Sequence, residues 1–246
     1  MKTARENNYH EDLSRHITRL VKGQLKTGRE LAEDFPLYTP RQDLSHFLVR
    51  HELFKKILSV RGSIVEAGVF RGAGLMTWAQ LSAIYEPINY QRQIIGFDTF
   101  AGFPKITPAD TAGRVKNPLA RRGGLATDSY QELRAVIKFY DQNRSLAHMP
   151  KVQLVKGDFM KTGREYLKQN PHLIISLLYL DFDIYEPTRE ALRLFLPRLS
   201  KGSLIAFDEV DNPDWPGETK ALLESLDLNH YPLQQFSYEP NISFLR

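Results

Sequence analysis

The stretch SIVEAGVFRGAG, residues 63–74, combines a short β-like run with a glycine-rich turn. Ser63–Ala67 has the apolar, β-branched character of a strand. Gly68 allows the backbone to turn tightly, and Gly72 and Gly74 allow a helix or a ligand to approach closely. The stretch therefore predicts a strand, a turn and the start of a helix, which together open an α/β unit.

This alternation of strand and helix continues along the chain. Further strands are predicted at Gln93–Phe97, Val152–Val155, Ile174–Leu180 and Ser203–Phe207, and helices at Leu75–Ile84, Thr127–Asn143, Thr188–Leu199 and Glu218–Leu226. The nearly continuous apolar run of Ile174–Leu180 is typical of a parallel strand that is buried on both faces. We therefore predict an α/β fold with a doubly wound sheet.

Both ends of the chain depart from the alternating pattern. Residues 1–62 predict a helical extension that could serve as a lid, with helices over Glu11–Lys22 and from Asp43 to Leu58. At the other end, Gln234–Tyr238 and Ile242–Leu245 flank Pro240-Asn241 and predict an antiparallel hairpin. The main domain is therefore expected to span residues 63–246.

Composition excludes several classes of protein. Apolar residues make up 42% of the 246 residues, which is too many for a disordered chain. The absence of cysteine excludes disulfides, thiolate catalysis and cysteine-zinc sites, and it favours a reducing cytoplasm. Met1–Leu20 lacks the apolar core of a secretory signal, and the longest apolar stretch, Leu173–Leu180, is too short to span a bilayer. We therefore expect a cytoplasmic protein that does not enter membranes.

Positive charge is concentrated in one segment. The net charge is +4, and residues 99–126 contain a group of basic residues opposed by a single acid, Asp110. The basic residues are Lys105, Arg114, Lys116, Arg121 and Arg122. The glycines and prolines of this segment predict a mobile loop. Such a loop could be a lid that meets an acidic acceptor, or it could be a solvated surface.

An acid follows or ends each of the five predicted parallel strands, which is the main functional signal. These acids are Glu66, Asp98, Asp158, Asp181 and Asp208. In doubly wound sheets, ligands bind beyond the carboxyl ends of the strands. Asp98 could accept hydrogen bonds from both hydroxyls of a ribose, and Asp158 could accept one from an adenine amino group, although either acid could instead cap a helix or a turn. NAD is disfavoured because Val69 and Phe70 interrupt the dinucleotide fingerprint.

A second group of acids lies at the ends of two consecutive predicted strands. Asp181 and Asp183 are two residues apart, so their side chains point the same way in an extended chain, and Asp208-Glu209 follows the next strand. Carboxylates that converge would repel each other, and a Mg²⁺ ion, which prefers oxygen ligands, would relieve this repulsion. The alternative is that these acids cap loops and helices and pair with Arg189 or Lys220.

Five stretches carry a family resemblance between Ser63 and Glu209. They are IVEAGVFRGAG, IIGFDTFAGFP, KGDF, LLYLDFDIYEPTREAL and LPRLSKGSLIAFDEV. In these stretches the chain resembles the macrocin O-methyltransferase (TylF-like) family of metal-dependent class I methyltransferases. The resemblance implies a Rossmann-like class I sheet, S-adenosylmethionine (SAM) as cofactor and Mg²⁺ or another divalent cation. The segment PDWPGETKA is similar to members that act on nucleotide-linked deoxysugars.

The resemblance also implies residue roles. SAM would be held by Glu66, Ala67, Gly68, Gly72, Asp98, Thr99, Asp158, Phe159 and Asp181. Asp181, Asp208 and Glu209 would bind the metal, although the family usually has Asp where this chain has Glu209. Asp183 would be the general base. A homo-oligomer is a further expectation from relatives, which often associate.

The expected reaction is methylation of a hydroxyl on a small acceptor, a sugar or nucleotide-linked sugar. A phenol, a catechol or a macrolide-attached sugar is the alternative acceptor. A SAM-binding module without catalysis is a different class, but it would not need the acids of the second group. Nucleic-acid methylation is disfavoured because the basic residues lie in one loop and no RNA-binding motif is visible.

Overall fold

A computed structural model describes Arg15, Thr18 and residues 28–113 and 117–246. The chain divides into two compact units, residues 1–48 and 49–246. In the first unit, helix α1 spans Gly28–Glu33 and a 3-10 turn spans Phe35–Leu37. The predicted helix Glu11–Lys22 lies outside the described residues apart from Arg15 and Thr18, which are helical.

Helix α2, Arg41–Ile57, confirms the second helix predicted for the N-terminal extension. The strands are β1 Ser63–Ala67, β2 Ile94–Asp98, β3 Val152–Lys156, β4 Ile175–Leu180, β5 Leu199–Phe207, β6 Gln234–Phe236 and β7 Glu239–Leu245. The further α-helices are α3 Ala73–Tyr85, α4 Tyr130–Gln142, α5 Phe159–Gln169, α6 Tyr185–Phe195 and α7 Pro216–Ser225.

The seven strands of the described residues form one sheet in the order β3-β2-β1-β4-β5-β7-β6. Strands β1 to β5 are parallel, and β7 runs antiparallel to both β5 and β6. The predicted doubly wound sheet with a C-terminal antiparallel hairpin is therefore confirmed. Because the strand order reverses between β1 and β4, the carboxyl ends of these two strands border the crevice where such sheets bind ligands.

Helices cover both faces of the sheet. Alternate residues of a strand point to opposite faces, so each buried strand contributes apolar side chains to two cores. Ile64 of β1 lies in one core and Val65 lies in the other. The first core contains Trp78 of α3, and the second contains Phe195 of α6, and both side chains are fully buried. Burying a side chain of this kind contributes about 1.5–3 kcal/mol relative to leaving it exposed. The two cores hold the strand ends in fixed positions.

The starts of two helices differ by three residues from the prediction. Helix α4 begins at Tyr130 with Ser129 as its N-cap residue, so the predicted cap at Thr127 or Asp128 is wrong. The hydroxyl of Ser129 donates to the carbonyl oxygen of Phe70 at 2.7 Å, which ties the helix start to the turn after β1. Helix α6 begins three residues before the predicted Thr188, because a proline in the first turn of a helix removes no helical hydrogen bond.

The hairpin turn also differs from the prediction. Pro240 and Asn241 lie inside β7, not in the turn, since β6 ends at Phe236 and β7 starts at Glu239. Only residues 243–245 of β7 pair with β5. Pro240 therefore lies beyond this pairing, and its missing N–H group removes no bond to β5.

Within the described part of the chain, no helix is long and apolar enough to cross a membrane.

Candidate active site

A cavity of about 410 Å³ opens at the carboxyl ends of the parallel strands, within the range of small-molecule sites. It lies beside the crevice between β1 and β4. Residues from five segments line it: Gly68, Phe70, Asp98, Thr99, Gly102, Phe103, Pro104, Lys105, Gly124, Leu125, Gly157, Asp158, Phe159, Met160, Asp181, Phe182, Asp183, Ile184, Glu186 and Pro187. The cavity brings together predicted site residues that follow or end four different strands.

The turn after β1 is shaped by its first glycine. Gly68 has φ +100°, and a Cβ atom there would overlap the carbonyl oxygen of Asp181. Glycine is thus required where the β1 turn passes the end of β4. The backbone amides of Val69 and Phe70 both donate to Oδ2 of Asp98 at 2.8 Å. Asp98 therefore fixes the turn as well as lining the cavity.

The end of β2 is a compact turn. Asp98 Oδ1 accepts a hydrogen bond from the amide of Phe100 at 2.6 Å, so both of its carboxylate oxygens have backbone donors. Thr99 donates from its hydroxyl to the carbonyl of Gly102 at 2.7 Å. Each carboxylate oxygen has two lone pairs, and Oδ2 already accepts two bonds, so Asp98 retains the capacity to accept one further hydrogen bond at Oδ1, for example from a ribose hydroxyl.

Asp158, at the end of β3, has a local structural role too. Its Oδ1 accepts from the amide of Met160 at 3.0 Å, which makes Asp158 the N-cap residue of α5. The alternative considered from the sequence, a helix cap, is therefore realised. Phe159 lines the cavity and packs edge-on against Phe97, with ring centroids 5.2 Å apart.

Glu66 lies behind the cavity instead of lining it. It is only 1% exposed, and Nη2 of Arg50 is 4.0 Å from its Oε1. Burial raises the pKa of Glu66 to about 8, although the charge of Arg50 opposes the shift. Ala67 and Gly72 also lie outside the cavity lining: Ala67 is in the core, and Gly72 has φ +91° at the start of α3. Glu66, Ala67 and Gly72 therefore belong to the strand and turn beside the cavity and not to its lining.

The acids after β4 face the cavity in a crowded environment. Asp181 and Asp183 both line it. Burial raises the pKa of Asp181 well above its usual range, and the charges of Asp208, Asp183 and Glu218 raise it further. The pKa of Asp183 is also raised, first by burial and then by Glu218 and Glu209. This is the electrostatic signature that the sequence predicted for converging carboxylates.

The backbone of Asp183 is in the left-handed region, at φ +60°. Phe70 (φ +51°) and Leu125 (φ +55°) line the same cavity in the same conformation. Non-glycine residues adopt this conformation at some cost, and such residues concentrate at functional sites. The strain around the cavity supports a binding or catalytic role for it.

The acids after β5 are engaged with neighbouring side chains. Asp208 accepts a hydrogen bond from the hydroxyl of Tyr179 in β4. Glu209 Oε2 accepts one from Nδ2 of Asn212 at 2.8 Å. Burial and the charge of Asp208 raise the pKa of Glu209 to about 7. The charge of Asp208 raises the pKa values of Asp181 and Asp183, and the charge of Glu209 raises that of Asp183. Neither Asp208 nor Glu209 lines the cavity.

No group of three or more His, Cys, Asp or Glu side chains within the described residues is arranged to hold a metal ion. The predicted magnesium site therefore stays a prediction. The predicted alternative partners of these acids have other contacts: Arg189 donates to the hydroxyl of Tyr185, and Lys220 lies 4.0 Å from Glu224.

Sequence reasoning missed Glu218, in the first turn of α7. Its side chain is fully buried, and Oε1 accepts from the amides of Phe182 (3.0 Å) and Asp183 (3.2 Å). Oε2 accepts from the amide of Glu209 at 3.3 Å. One carboxylate thus joins the loops after β4 and β5. An acid in the first helical turn, directly after Pro216-Gly217, was the available signal, but it indicates only a favourable helix start.

The 99–126 loop forms one wall of the cavity. Phe103 and Leu125 line the cavity, and the ring of Phe103 packs against Trp215 with centroids 5.7 Å apart. Lys105 Nζ lies 2.7 Å from Oε1 of Glu186 at the same wall. Of the other basic residues, Arg121 and Arg122 are exposed, and residues 114–116 are outside the described part.

The fold is shared with solved methyltransferases. The crystal structure of CalS11, a calicheamicin methyltransferase, superposes with a TM-score of 0.91 at 36% identity, covering 100% of this chain and 94% of that one. The apo structure of CalS11, described as a TDP-rhamnose 3'-O-methyltransferase, gives a TM-score of 0.83 at 34% identity, with 100% and 96% covered. Together with the strand order, these likenesses define a class I methyltransferase fold, as predicted.

The family model for macrocin-O-methyltransferase (TylF) matches residues 7–221, so the chain belongs to this family. The predicted family is thus confirmed, and the methyltransferase fold supports SAM as cofactor. Demethyldecarbamoylnovobiocin O-methyltransferase of Streptomyces niveus is 27% identical over 151 residues, which cover 61% of this chain and 53% of that protein. The chain spans about half the length of the curated relatives it matches.

Proposed function

We propose that the protein is a SAM-dependent O-methyltransferase that methylates a hydroxyl of a sugar, carried on a nucleotide, with the help of a divalent cation. The observation that carries the proposal is the lining of a single cavity. Asp98 and Asp158 come from the ends of β2 and β3, Asp181 and Asp183 follow β4, and Gly68 lies between the two pairs at the end of β1. A methyl donor held by the acids of β2 and β3 and an acceptor held by the acids after β4 would meet in this one cavity.

The donor side fits an adenosine-containing ligand by its chemistry. Asp98 can accept a hydrogen bond from a ribose hydroxyl at Oδ1, and Gly68 has no side chain that would keep a ligand away from the backbone. Asp158 and Phe159 at the end of β3 offer a carboxylate and a ring face for an adenine. Glu66 would act from behind, since its buried side chain supports the turn without reaching the cavity.

Asp183 is the proposed general base. Bound SAM supplies an electrophilic methyl group, and a bound divalent cation supplies positive charge beside the acceptor hydroxyl. Asp183 would receive the hydroxyl proton while the oxygen bonds to the methyl carbon and the S–CH₃ bond breaks, so that S-adenosylhomocysteine would leave. A cation near Asp208 and Glu209 would offset two of the charges that raise the pKa of Asp183, and so favour the ionised carboxylate that a general base needs. An acceptor and SAM bound in the cavity would displace water from around Asp183.

A cation near Asp181, Asp208 and Glu209 is supported by electrostatics. Burial and the charge of Asp208 raise the pKa values of Asp181 and Glu209, so positive charge near these groups would lower the free energy of the ionised state. The donor set consists of carboxylate oxygens, which suits Mg²⁺. Because Asp208 and Glu209 are bonded to Tyr179 and Asn212, cation binding would compete with these two bonds.

The nucleotide-linked sugar is proposed from likeness and charge together. CalS11 is described as acting on TDP-rhamnose, and it matches this chain over its whole length. The exposed side chains of Arg121 and Arg122 on the loop that walls the cavity could attract a diphosphate. These two features favour a nucleotide-sugar over a phenol or catechol, which carries no such charge.

The test is a direct assay of methyl transfer. Purified protein is incubated with SAM, Mg²⁺ and a panel of TDP-linked deoxysugars, with TDP and a catechol as comparison acceptors, and the products are analysed by mass spectrometry. We expect one methyl group to be added to a TDP-deoxysugar and none to TDP. Methylation of the catechol alone would reject the proposed acceptor class, and the absence of any methylated product would reject the proposed reaction.

A further inference from the structure

Two buried carboxylates from distant parts of the chain hold the backbone that carries Asp183. Glu218 accepts from the amides of residues 182 and 183, as described above. Asp110, from the 99–126 loop, accepts from the amide of Tyr185 at 2.6 Å through its Oδ1. The acid loop after β4 is thus held from two directions, and one of these contacts comes from the loop that walls the cavity.

Asp110 is almost fully buried, with 2% of its surface exposed. Its second oxygen, Oδ2, accepts from both the amide and the hydroxyl of Thr107, each at 2.7 Å. One oxygen therefore organises the loop to which Asp110 belongs, and the other reaches α6. Hydrogen bonds to a carboxylate in buried surroundings are stronger than those between neutral groups, so Asp110 connects the two segments firmly.

Gly217 makes the connection sterically possible. A Cβ atom at this position would lie 2.6 Å from Oδ1 of Asp110, 2.6 Å from the amide nitrogen of Tyr185 and 3.0 Å from the carbonyl oxygen of Asp183. The two distances of 2.6 Å are too short for a side chain, and the third is a tight contact. The absence of a side chain therefore lets three segments meet: the 99–126 loop, the loop after β4 and the first turn of α7.

The same loop also supplies the apolar wall of the cavity. Phe103 is bonded to the glycine pair of the loop, since its amide donates to Gly124 O at 3.1 Å and its carbonyl accepts from Gly123 N at 2.9 Å. Phe103, Ile184 and Trp215 form a separate small cluster of buried apolar side chains. The wall and the acid loop are thus packed together, with Asp110 as the polar contact between them.

We propose that Asp110 is a positioning residue that couples the 99–126 loop to Asp183, so that the wall of the acceptor pocket and the base adopt their working positions together. The proposal rests on the proposed function. Asp110 touches neither acceptor nor cofactor in this scheme. It acts through the amide of Tyr185, two residues after Asp183, and its loss should affect the acceptor far more than SAM.

Asp110→Asn is the sharpest variant. Whichever way the new amide is oriented, its NH₂ group faces a backbone N–H group, either that of Tyr185 or that of Thr107, and one buried donor loses its partner. We expect the KM for the acceptor to rise about tenfold, because one buried hydrogen bond is lost. The KM for SAM should change by less than about twofold. Asp128→Asn, at an exposed position before α4, is the matched control and should change neither constant.

Amide hydrogen exchange provides a readout that does not depend on activity. In Asp110→Asn, protection should fall together at Tyr185 and in residues 99–113, whereas in Asp128→Asn it should not change. If Asp110→Asn does not fold, Thr107→Val removes one of the three bonds to Asp110 and should give the same pattern at smaller size.

An equal rise of both KM values would overturn the proposal, because Asp110 would then support the whole site. Faster exchange in the loop with unchanged exchange at Tyr185 would overturn it as well. If the wild-type protein methylates no acceptor, the proposed function fails, and the exchange data still decide whether Asp110 couples the two segments.

Discussion

The two sides of the cavity are built in different ways. On the side formed by β2 and β3, Asp98 and Asp158 accept hydrogen bonds from backbone amides of the adjoining turns. On the side formed by β4, burial and then the charges of other carboxylates raise the pKa values of Asp181 and Asp183. Their loop is held by Glu218 and Asp110, which are distant in sequence.

The acids of β2 and β3 therefore form a binding surface that is already satisfied by hydrogen bonds, whereas the acids after β4 repel each other. Acids that are satisfied by local amides keep their shape without a ligand, and they suit a cofactor that every turnover uses. Acids that repel each other store unfavourable free energy that a cation or a proton can relieve. We therefore expect changes on the β2–β3 side to alter SAM binding and changes on the β4–β5 side to alter turnover.

Removal of the cation should give the largest difference between turnover and SAM binding. EDTA should abolish turnover, and added Mg²⁺ should restore it, because the carboxylates after β4 and β5 would otherwise repel each other and protonate. SAM affinity, measured by calorimetry in EDTA, should stay the same, since Asp98 and Asp158 need no metal. Full activity in EDTA would remove the cation from the account.

Asp183→Asn should give the next largest effect. Loss of the base should lower kcat by about 10²–10⁴-fold with SAM affinity retained. Asparagine is the suitable replacement because it tolerates the left-handed backbone (φ +60°) at this position. The measurements are steady-state kinetics and SAM titration.

Asp98→Asn is the matched variant on the other side of the cavity. It replaces an oxygen that accepts from Val69 and Phe70 or from Phe100, so it should weaken SAM binding and leave the acceptor KM nearly unchanged. A wild-type kcat in Asp183→Asn would mean that another group takes the proton. Equal losses of SAM affinity in both variants would show that the two sides do not differ as described.

Glu218→Gln should act on stability. The variant leaves a buried backbone N–H group of Phe182, Asp183 or Glu209 without an acceptor, which costs about 1–3 kcal/mol. Chemical unfolding should show this loss, and Glu165→Gln, at an exposed position on α5, should unfold like the wild type. Unchanged stability in Glu218→Gln would mean that the carboxylate does not hold the two loops together.

The double variant Arg121→Ala with Arg122→Ala should have the smallest effect. Both side chains are exposed, so their attraction for a diphosphate is screened by solvent and salt. The KM for a nucleotide-linked acceptor should rise a few-fold at low ionic strength and less at high ionic strength, with the KM for SAM unchanged. If the acceptor KM does not change at either ionic strength, Arg121 and Arg122 do not contact the acceptor and belong to a solvated surface.

The sheet was predictable because its signals are local. The apolar run of β4 and the glycine turn after β1 each predict their element from a few neighbouring residues. Helix α5 was missed, since its sequence FMKTGREYLKQ carries few apolar residues and a central glycine. The hairpin turn was misplaced because a proline in β7 is tolerated only through the way β5 pairs, which is a tertiary property.

The site was predictable only where residues follow strand ends. The acids that line the cavity, Asp98, Asp158, Asp181 and Asp183, all belong to this class. Glu218 could not be found in this way, because its importance lies in three amides that come from two other loops. Asp110 was visible only as the lone acid of a basic loop, and nothing in its neighbourhood in sequence indicates the contact with Tyr185.

The central claim is that donor and acceptor meet in this one cavity with Asp183 beside the reacting hydroxyl. A crystal structure with S-adenosylhomocysteine and the methylatable TDP-deoxysugar measures this directly. We expect the adenosine to lie between Asp98 and Asp158, and a sugar hydroxyl to lie within about 2.6–3.2 Å of an Asp183 carboxylate oxygen. A sugar bound with no hydroxyl near Asp183, or an adenosine bound outside this cavity, would contradict it.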